Sequence, residues 1–185
     1  MLEWQNIATL WSKIKGIVVK SGQTIIAKVS SKQSVKTEII FACYEAGITN
    51  ENAIKYVLAT VEHETAGTFK PVKEAYWLSE EWRKKHLRYY PFYGRGYVQI
   101  TWEKNYKKFS KIVGKDLVKN PDLALSHNVA LKILVIGMRD GLFTGRKLSR
   151  YFNQDRCDFV NARRIINGTD KAQHIAELAK KMKVF

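Results

Sequence analysis

Glu51-Asn52-Ala53-Ile54-Lys55-Tyr56-Val57-Leu58-Ala59-Thr60-Val61-Glu62-His63-Glu64 is the stretch that decides the fold. Ile54, Val57 and Val61 recur at i, i+3 and i+7, the spacing of one apolar helical face, and Glu64 falls on that same face. The stretch predicts an α-helix. Thr49 or Asn50 is placed to cap it, and Glu51 stands in its first turn, where the helix dipole favours negative charge. The pattern also aims the Glu64 carboxyl at the interior. Burial removes water from the ion and favours the protonated form, so Glu64 is expected to hold a proton near neutrality, as a general acid must. Gly67 and Pro71 then break the helix and allow a second acid, Glu74, to return across a cleft. Two carboxyl groups in unlike surroundings are the equipment of glycoside hydrolysis.

Working outward, residues 35–47 carry a second helical pattern with Ile39, Ile40, Cys43 and Tyr44 on one side. Residues 1–28 are different in character. Trp4, Ile7, Trp11, Ile14 and Val18 follow helical spacing with Lys13, Lys15 and Lys20 between them, a basic amphipathic segment that either packs on the domain or lies on an anionic membrane. On the C-terminal side, residues 78–88 predict a short helix with Trp77, Leu78 and Trp82 inward, and the stretch around Pro91 should be irregular. Gly94-Arg95-Gly96 implies a tight backbone. Tyr97 to Thr101 alternates polar and apolar residues, predicting a short strand whose polar side, Tyr97, Gln99 and Thr101, is a binding face. Thr101 is also placed to cap a helix with Tyr106, Phe109, Ile112 and Val113 inward, stopped by Gly114. A helical region from Asn120-Pro121-Asp122 should break around Gly137 and Gly141. Two further helices are expected over 147–166 and 172–183, with Asn167-Gly168 as the turn between them. The expectation is a mainly α fold with one small strand element, divided into an N-terminal helical segment, 1–30, and a catalytic domain, 31–185.

The 185 residues are 45% hydrophobic, enough for a real core. Lys and Arg outnumber Asp and Glu by 32 to 17, a formal charge of +15, so the partner should be a polyanion. No zinc-finger spacing, RNP-type aromatic motif or helix-turn-helix signal accompanies that charge, which argues against nucleic acid. Anionic polymers of the bacterial envelope suit the paired carboxylates better. His63-Glu64 would need a second histidine at position 67 to make a zinc-peptidase helix, and that position is Gly, so neither metal nor cofactor is expected. Cys43 and Cys157 fit no metal or redox spacing and read as two reduced core thiols or one long-range disulfide. Neither a signal peptide nor an apolar run long enough to span a bilayer is visible, Leu131 to Met138 being too short.

Bland alternatives exist for each residue. Glu64 could belong to a buried salt bridge, Glu74 could be a surface glutamate beside Lys73, and Thr101 could be no more than a helix cap.

His63-Glu64-Thr65-Ala66-Gly67, then Glu74, then Gly94 to Thr101 with Asn105-Tyr106, and finally Arg164-Ile165-Ile166-Asn167-Gly168 together resemble the family 19 chitinase-like glycoside hydrolases. The likeness is closer to the phage endolysins of that group and runs in order from residue 35 to 182. The resemblance implies a lysozyme-like or chitinase-like α+β domain with a central substrate groove. It implies Glu64 as general acid, Glu74 as the base that activates water, and Thr101 as the residue that holds that water. Gln99, Asn105 and Asn167 would line the sugar groove and Tyr97 would be a groove aromatic, while His63, Arg95 and Arg164 would brace the site. Inversion would put the two carboxyls about 6.5–9.5 Å apart. Glu74 is followed by Ala75-Tyr76 where the endolysin pattern has Asn, so Glu80 and Glu81 stay open as alternative bases. An endolysin would be a monomer made in the host cytoplasm. It would pass a holin-type pore to reach peptidoglycan glycan strands, with the N-terminal segment free to touch anionic membrane or lipopolysaccharide. The alternatives are a chitinase acting on neutral N-acetylglucosamine polymers and a non-enzymatic cationic protein that disrupts membranes.

Overall fold

The computed structural model describes residues 17–20, 23–26 and 31–184. The chain divides into two compact units, Met1–Glu38 and Ile39–Phe185. In the first unit β1 (Ile17–Lys20) pairs antiparallel with β2 (Gln23–Ile26), in a register running from Ile17↔Ile26 to Lys20↔Gln23. This corrects the amphipathic-helix expectation where it reached Val18 and Lys20. Ile17-Val18-Val19 and Thr24-Ile25-Ile26 are β-branched runs, stiff at χ1 and better suited to a pleated ladder than to a helix. The remainder of that expectation, at residues 1–16, 21–22 and 27–30, lies outside the described residues.

α1 (Ser31–Glu45) supplies Ile39, Ile40 and Cys43 to the core of the second unit. α2 (Glu51–Glu64) starts where its sequence predicts and ends before Gly67, and Asn50 is its cap, with Oδ1 accepting from the Ala53 N–H at 3.1 Å. Its burial is wider than one stripe. Ala53, Ile54 and every residue from Tyr56 to Val61 are buried, which makes α2 a central helix covered on nearly all sides. Ile54, Val57 and Val61 are each fully enclosed, worth roughly 1.5–3 kcal/mol apiece relative to exposure. Thr60 is tolerated there because its hydroxyl donates to the Tyr56 carbonyl at 2.9 Å. α2 ends where the Thr65 hydroxyl donates back to Val61 O at 2.7 Å and the Gly67 N–H donates to Glu62 O at 2.7 Å. Ala66, at φ +47°, and Gly67, at φ +74°, are the consecutive left-handed residues that turn the chain out.

β3 (Val72–Lys73) pairs antiparallel with β4 (Arg95–Gly96), in the register Val72↔Gly96 and Lys73↔Arg95. This is the small β element the sequence predicts, but it is not the strand expected over 97–101. The chain instead reverses through Tyr97–Gln99, with Gln99 at φ +51°, and Ile100 comes back to bridge Arg95. Alternation across five residues is shared by a strand and by a tight turn whose polar groups happen to bond locally. Between the strands lies α3 (Glu80–His86), capped by Ser79. Trp77 does not point inward as expected, being 71% exposed; the buried residue of this region is Arg83.

α4 (Glu103–Val113) buries Tyr106 and Phe109, leaves Ile112 and Val113 half-buried, and stops at Gly114 in the left-handed conformation. Thr101 is not its cap. Trp102 occupies that position without a side-chain capping bond, and the Thr101 hydroxyl donates to the Gln99 carbonyl at 3.0 Å. A 3-10 turn (Pro121–Leu125) leads into α5 (His127–Asp140). Gly137 does not break α5. Its missing side chain makes room for the Phe143 ring, whose Cζ lies 2.2 Å from where a Cβ would stand, and the helix ends at Gly141. The single helix expected over 147–166 is replaced by two 3-10 turns, Leu148–Arg150 and Asn161–Ile165. Asn153 Oδ1 accepts from the Asp155 N–H and Asp158 Oδ1 from the Asn161 N–H, and such local bonds compete with a helical ladder. α6 (Ala172–Lys181) packs along α2 through Ile175, Ala176 and Ala179. Cys43 is a core thiol pushed up to about 12 by burial, whereas Cys157 is exposed and both are free, so the disulfide alternative does not hold. Among the described residues no helix is long and apolar enough to cross a membrane.

Candidate active site

The end of α2 opens onto a cavity of about 350 Å³, lined on its polar side by Glu64, Gln99, Thr101, Asn105, Arg163 and Asn167. Val98, Ile100, Trp102, Phe143 and Ile166 complete the wall. Three of the four segments the sequence singled out meet here, those of Glu64, of residues 98–105 and of residues 163–167, joined by Phe143, whereas Glu74 is not among the lining residues. The volume suits a small-molecule-sized group.

Glu64 meets an arginine where an apolar pocket was expected. Its side chain is 17% exposed, and Arg163 Nη1 donates to Oε1 at 2.7 Å. Arg163, itself 4% exposed, is fixed by a second bond from Nε to the Asp170 carbonyl. The salt-bridge alternative for Glu64 is therefore present, but the carboxyl still faces an open cavity. The brace is Arg163 and not Arg164. Arg164 is half-buried and its carbonyl accepts from the Thr144 hydroxyl at 2.6 Å. Two adjacent arginines look equivalent in sequence, and only the phase of the 3-10 turn, which also buries Ala162 and Ile165, selects the first. His63 stands edge-on to His174, ring centroids 5.6 Å apart, so it steadies α2 against α6. Burial first, with Arg163 adding to it, lowers its pKa below the usual histidine range, although Glu64 opposes this.

Glu74 follows β3 directly, and the β3–β4 ladder continues through it. Its N–H donates to Gly94 O at 2.8 Å, and its Oε2 accepts from the Gly94 N–H at 2.8 Å. Its Oε1 accepts from the Tyr89 hydroxyl at 2.7 Å. That bond, with burial beside it, pushes the phenol up to about 12, so Tyr89 remains a donor throughout the neutral range. Sequence reasoning missed Tyr89, since a contact spanning 15 residues through an irregular loop leaves no periodic signal. Glu74 and the cavity-lining Gln99 adjoin Gly94. A Cβ on Gly94 would stand 2.6 Å from Gln99 Oε1 and 3.2 Å from Glu74 Oε2, so the carboxylate and the cavity-lining amide flank one glycine. Gln99 is itself pinned by bonds from Nε2 to Val72 O at 2.8 Å and Gly96 O at 3.2 Å. Gly94→Ala is therefore expected to displace both side chains and lower kcat/KM about tenfold or more, with stability lowered by ~1–3 kcal/mol; steady-state kinetics beside a thermal melt check this.

The alternative bases are engaged elsewhere. Glu80 pairs with Arg83 at 3.0 Å and accepts from the Tyr93 hydroxyl, while Glu81 is an exposed first-turn residue of α3. Arg95 does not line the cavity and anchors the loop before β4. It is 4% exposed, pairs with Asp122 at 2.6 Å, lies over the Tyr93 ring at 3.7 Å and donates to the Pro91 and Tyr93 carbonyls. Tyr97 is not a groove aromatic. It is 1% exposed, with its hydroxyl 2.8 Å from His127 Nδ1 and 3.3 Å from Phe69 O, because the turn at 97–99 rotates its ring into the core. Asn105 lines the cavity while Nδ2 donates to the Thr101 carbonyl at 2.8 Å, and Asn167 stands exposed at its rim.

A central helix delivers one carboxyl group to a polar cavity, and a second acid is held on a two-strand ladder. The family model of glycoside hydrolase family 19, described as chitinase class I, matches residues 35–136, and the chain belongs to that family. It is similar to endochitinase A2 of Pisum sativum, with 45% identity over 38 residues, and this match takes in 20% of the chain and only 12% of that relative. Among solved structures it is similar in fold to chitinase C from Streptomyces griseus HUT6037, with a TM-score of 0.56 at 18% identity, over 92% of this chain and 72% of that one.

Proposed function

We propose that the protein hydrolyses β-1,4 glycosidic bonds of peptidoglycan by single displacement with inversion, in the manner of an endolysin. The observation that carries the reading is the placing of Glu64, gripped through one oxygen by Arg163, on a cavity whose wall also holds Thr101 and Gln99. Arg163 engages Oε1, and we put the transferred proton on Oε2. The bound sugar displaces water from the cavity around this carboxyl. Glu64 then protonates the leaving oxygen. Glu74, oriented by Tyr89 and Gly94, takes a proton from water as that water attacks the anomeric carbon. The Thr101 hydroxyl has spent its proton on Gln99 O and holds the attacking water by accepting from it. Gln99, Asn105 and Asn167 bond the sugar hydroxyls and amides. The formal charge of +15 favours an anionic wall, which would concentrate the protein on its substrate.

In this account the enzyme is made in the cytoplasm of an infected host and reaches the wall after a holin-type pore forms. A second reading, hydrolysis of chitin, is favoured by the likeness to an endochitinase and to a chitinase. Release of reducing ends from purified peptidoglycan and from chitin oligomers decides between them. Faster turnover of peptidoglycan at low salt, declining as salt screens the charge, is the expected result. Turnover of chitin alone would overturn the peptidoglycan assignment.

A further inference from the structure

Tyr76 and Trp77 are 70% and 71% exposed, the most exposed large hydrophobic residues among those described. They occupy the two corners of a turn closed by the Leu78 N–H donating to the Ala75 carbonyl at 2.9 Å. The rings meet edge to face, with centroids 5.1 Å apart at 85°. The turn is held firmly from below. Arg83 is 4% exposed and donates through Nε to the Glu74 carbonyl at 3.0 Å and through Nη2 to the Ala75 carbonyl at 3.1 Å, while Glu80 pairs with its Nη1. Ala75 is kept at φ +48°, a left-handed conformation that a residue with a Cβ adopts only when its surroundings impose it.

The chain thus buries an arginine and strains an alanine to hold two aromatic rings in water, directly after the acid assigned as the base. Packing gains nothing from such an arrangement, since neither ring enters the core. We propose that Tyr76 and Trp77 form an outer sugar subsite, in which a pyranose ring of the glycan strand stacks on the exposed ring face beyond the cavity. The occupant follows from position: the turn begins at the residue after Glu74, and Arg83 ties the carbonyls of both Glu74 and Ala75, so a glycan strand engaged at Glu74 passes close to these rings. The apolar face of a pyranose matches an aromatic face, and a T-shaped pair offers one ring flat to a ligand. The inference rests on the glycosidase reading above and adds to it a preference for long strands over short oligomers.

The test uses the full chain and two readouts. The first is co-sedimentation with insoluble peptidoglycan and insoluble chitin in the cold, which needs no cleavage. The second is kcat/KM on a polymer relative to that on a short chitin tetramer. Trp77→Ala should weaken sedimentation about five- to tenfold and reduce the polymer-to-tetramer ratio by a similar factor, with the change carried by KM. Trp77→Phe should restore most of both. Equal losses on polymer and tetramer, or unaltered sedimentation with unaltered ratio, would overturn the subsite. Failure of the glycosidase reading looks different: the unaltered protein would release no reducing ends from either substrate, while the sedimentation comparison would still decide whether the rings bind glycan.

Discussion

Glu64→Gln is expected to lower hydrolysis of purified peptidoglycan by about 10²–10⁴-fold, the range over which a positioned general acid contributes. The substitution keeps the shape of the side chain and an oxygen for Arg163 Nη1 to bond, but it removes the proton donor and the charge. Arg163, only 4% exposed, is then left with a neutral partner. A loss of about 1–3 kcal/mol in stability should accompany the loss of rate. The helical circular dichroism should persist, because α2 is fixed by its buried residues from Ala53 to Val61 and not by its last side chain. Rates measured well below the melting temperature separate the two effects. Full clearing of outer-membrane-stripped cells by this variant would contradict the assignment and favour membrane disruption by a cationic protein.

Arg163→Ala is expected to have the largest effect on stability, about 3–5 kcal/mol, since it strips a half-buried carboxylate of its partner. The same change leaves the Asp170 carbonyl without the Nε donor that ties the turn at 161–165 to the start of α6. Denaturant unfolding gives the magnitude. The double variant Glu64→Gln with Arg163→Ala distinguishes this cause from a general packing defect. If the ion pair is responsible, the double variant should be more stable than the sum of the single losses implies by at least about 1 kcal/mol. Strict additivity would mean that Arg163 serves the fold through its stem and not through Glu64.

The central helix was legible in sequence because fourteen residues repeat one pattern, and Asn50, Glu64 and Gly67 all punctuate it where short-range physics requires. The same holds for the gathering of Gln99, Thr101, Asn105 and Asn167 around Glu64, which motif order implied and the cavity realises. What was not legible depends on tertiary geometry over short spans. The choice between Arg163 and Arg164 turns on a single residue of helical phase. Tyr97 reads as an exposed aromatic until one sees that Gln99 reverses the chain and that His127 waits inside for its hydroxyl. Trp77 reads as core by composition, yet Arg83 occupies the interior instead, since a guanidinium that satisfies two carbonyls and a carboxylate can be buried at modest cost. The apolar surroundings expected for Glu64 failed for the related reason that its partner lies 99 residues away in sequence.

The stereochemistry of the first product tests the two-carboxylate mechanism most directly. Proton NMR of a β-1,4-linked oligomer during the first turnovers, before mutarotation, reports the anomer released at the new reducing end. Glu64 as acid and Glu74 as base acting on water predict the α-anomer, by inversion. Initial release of the β-anomer would mean a covalent or substrate-assisted route and would contradict the roles assigned to both residues.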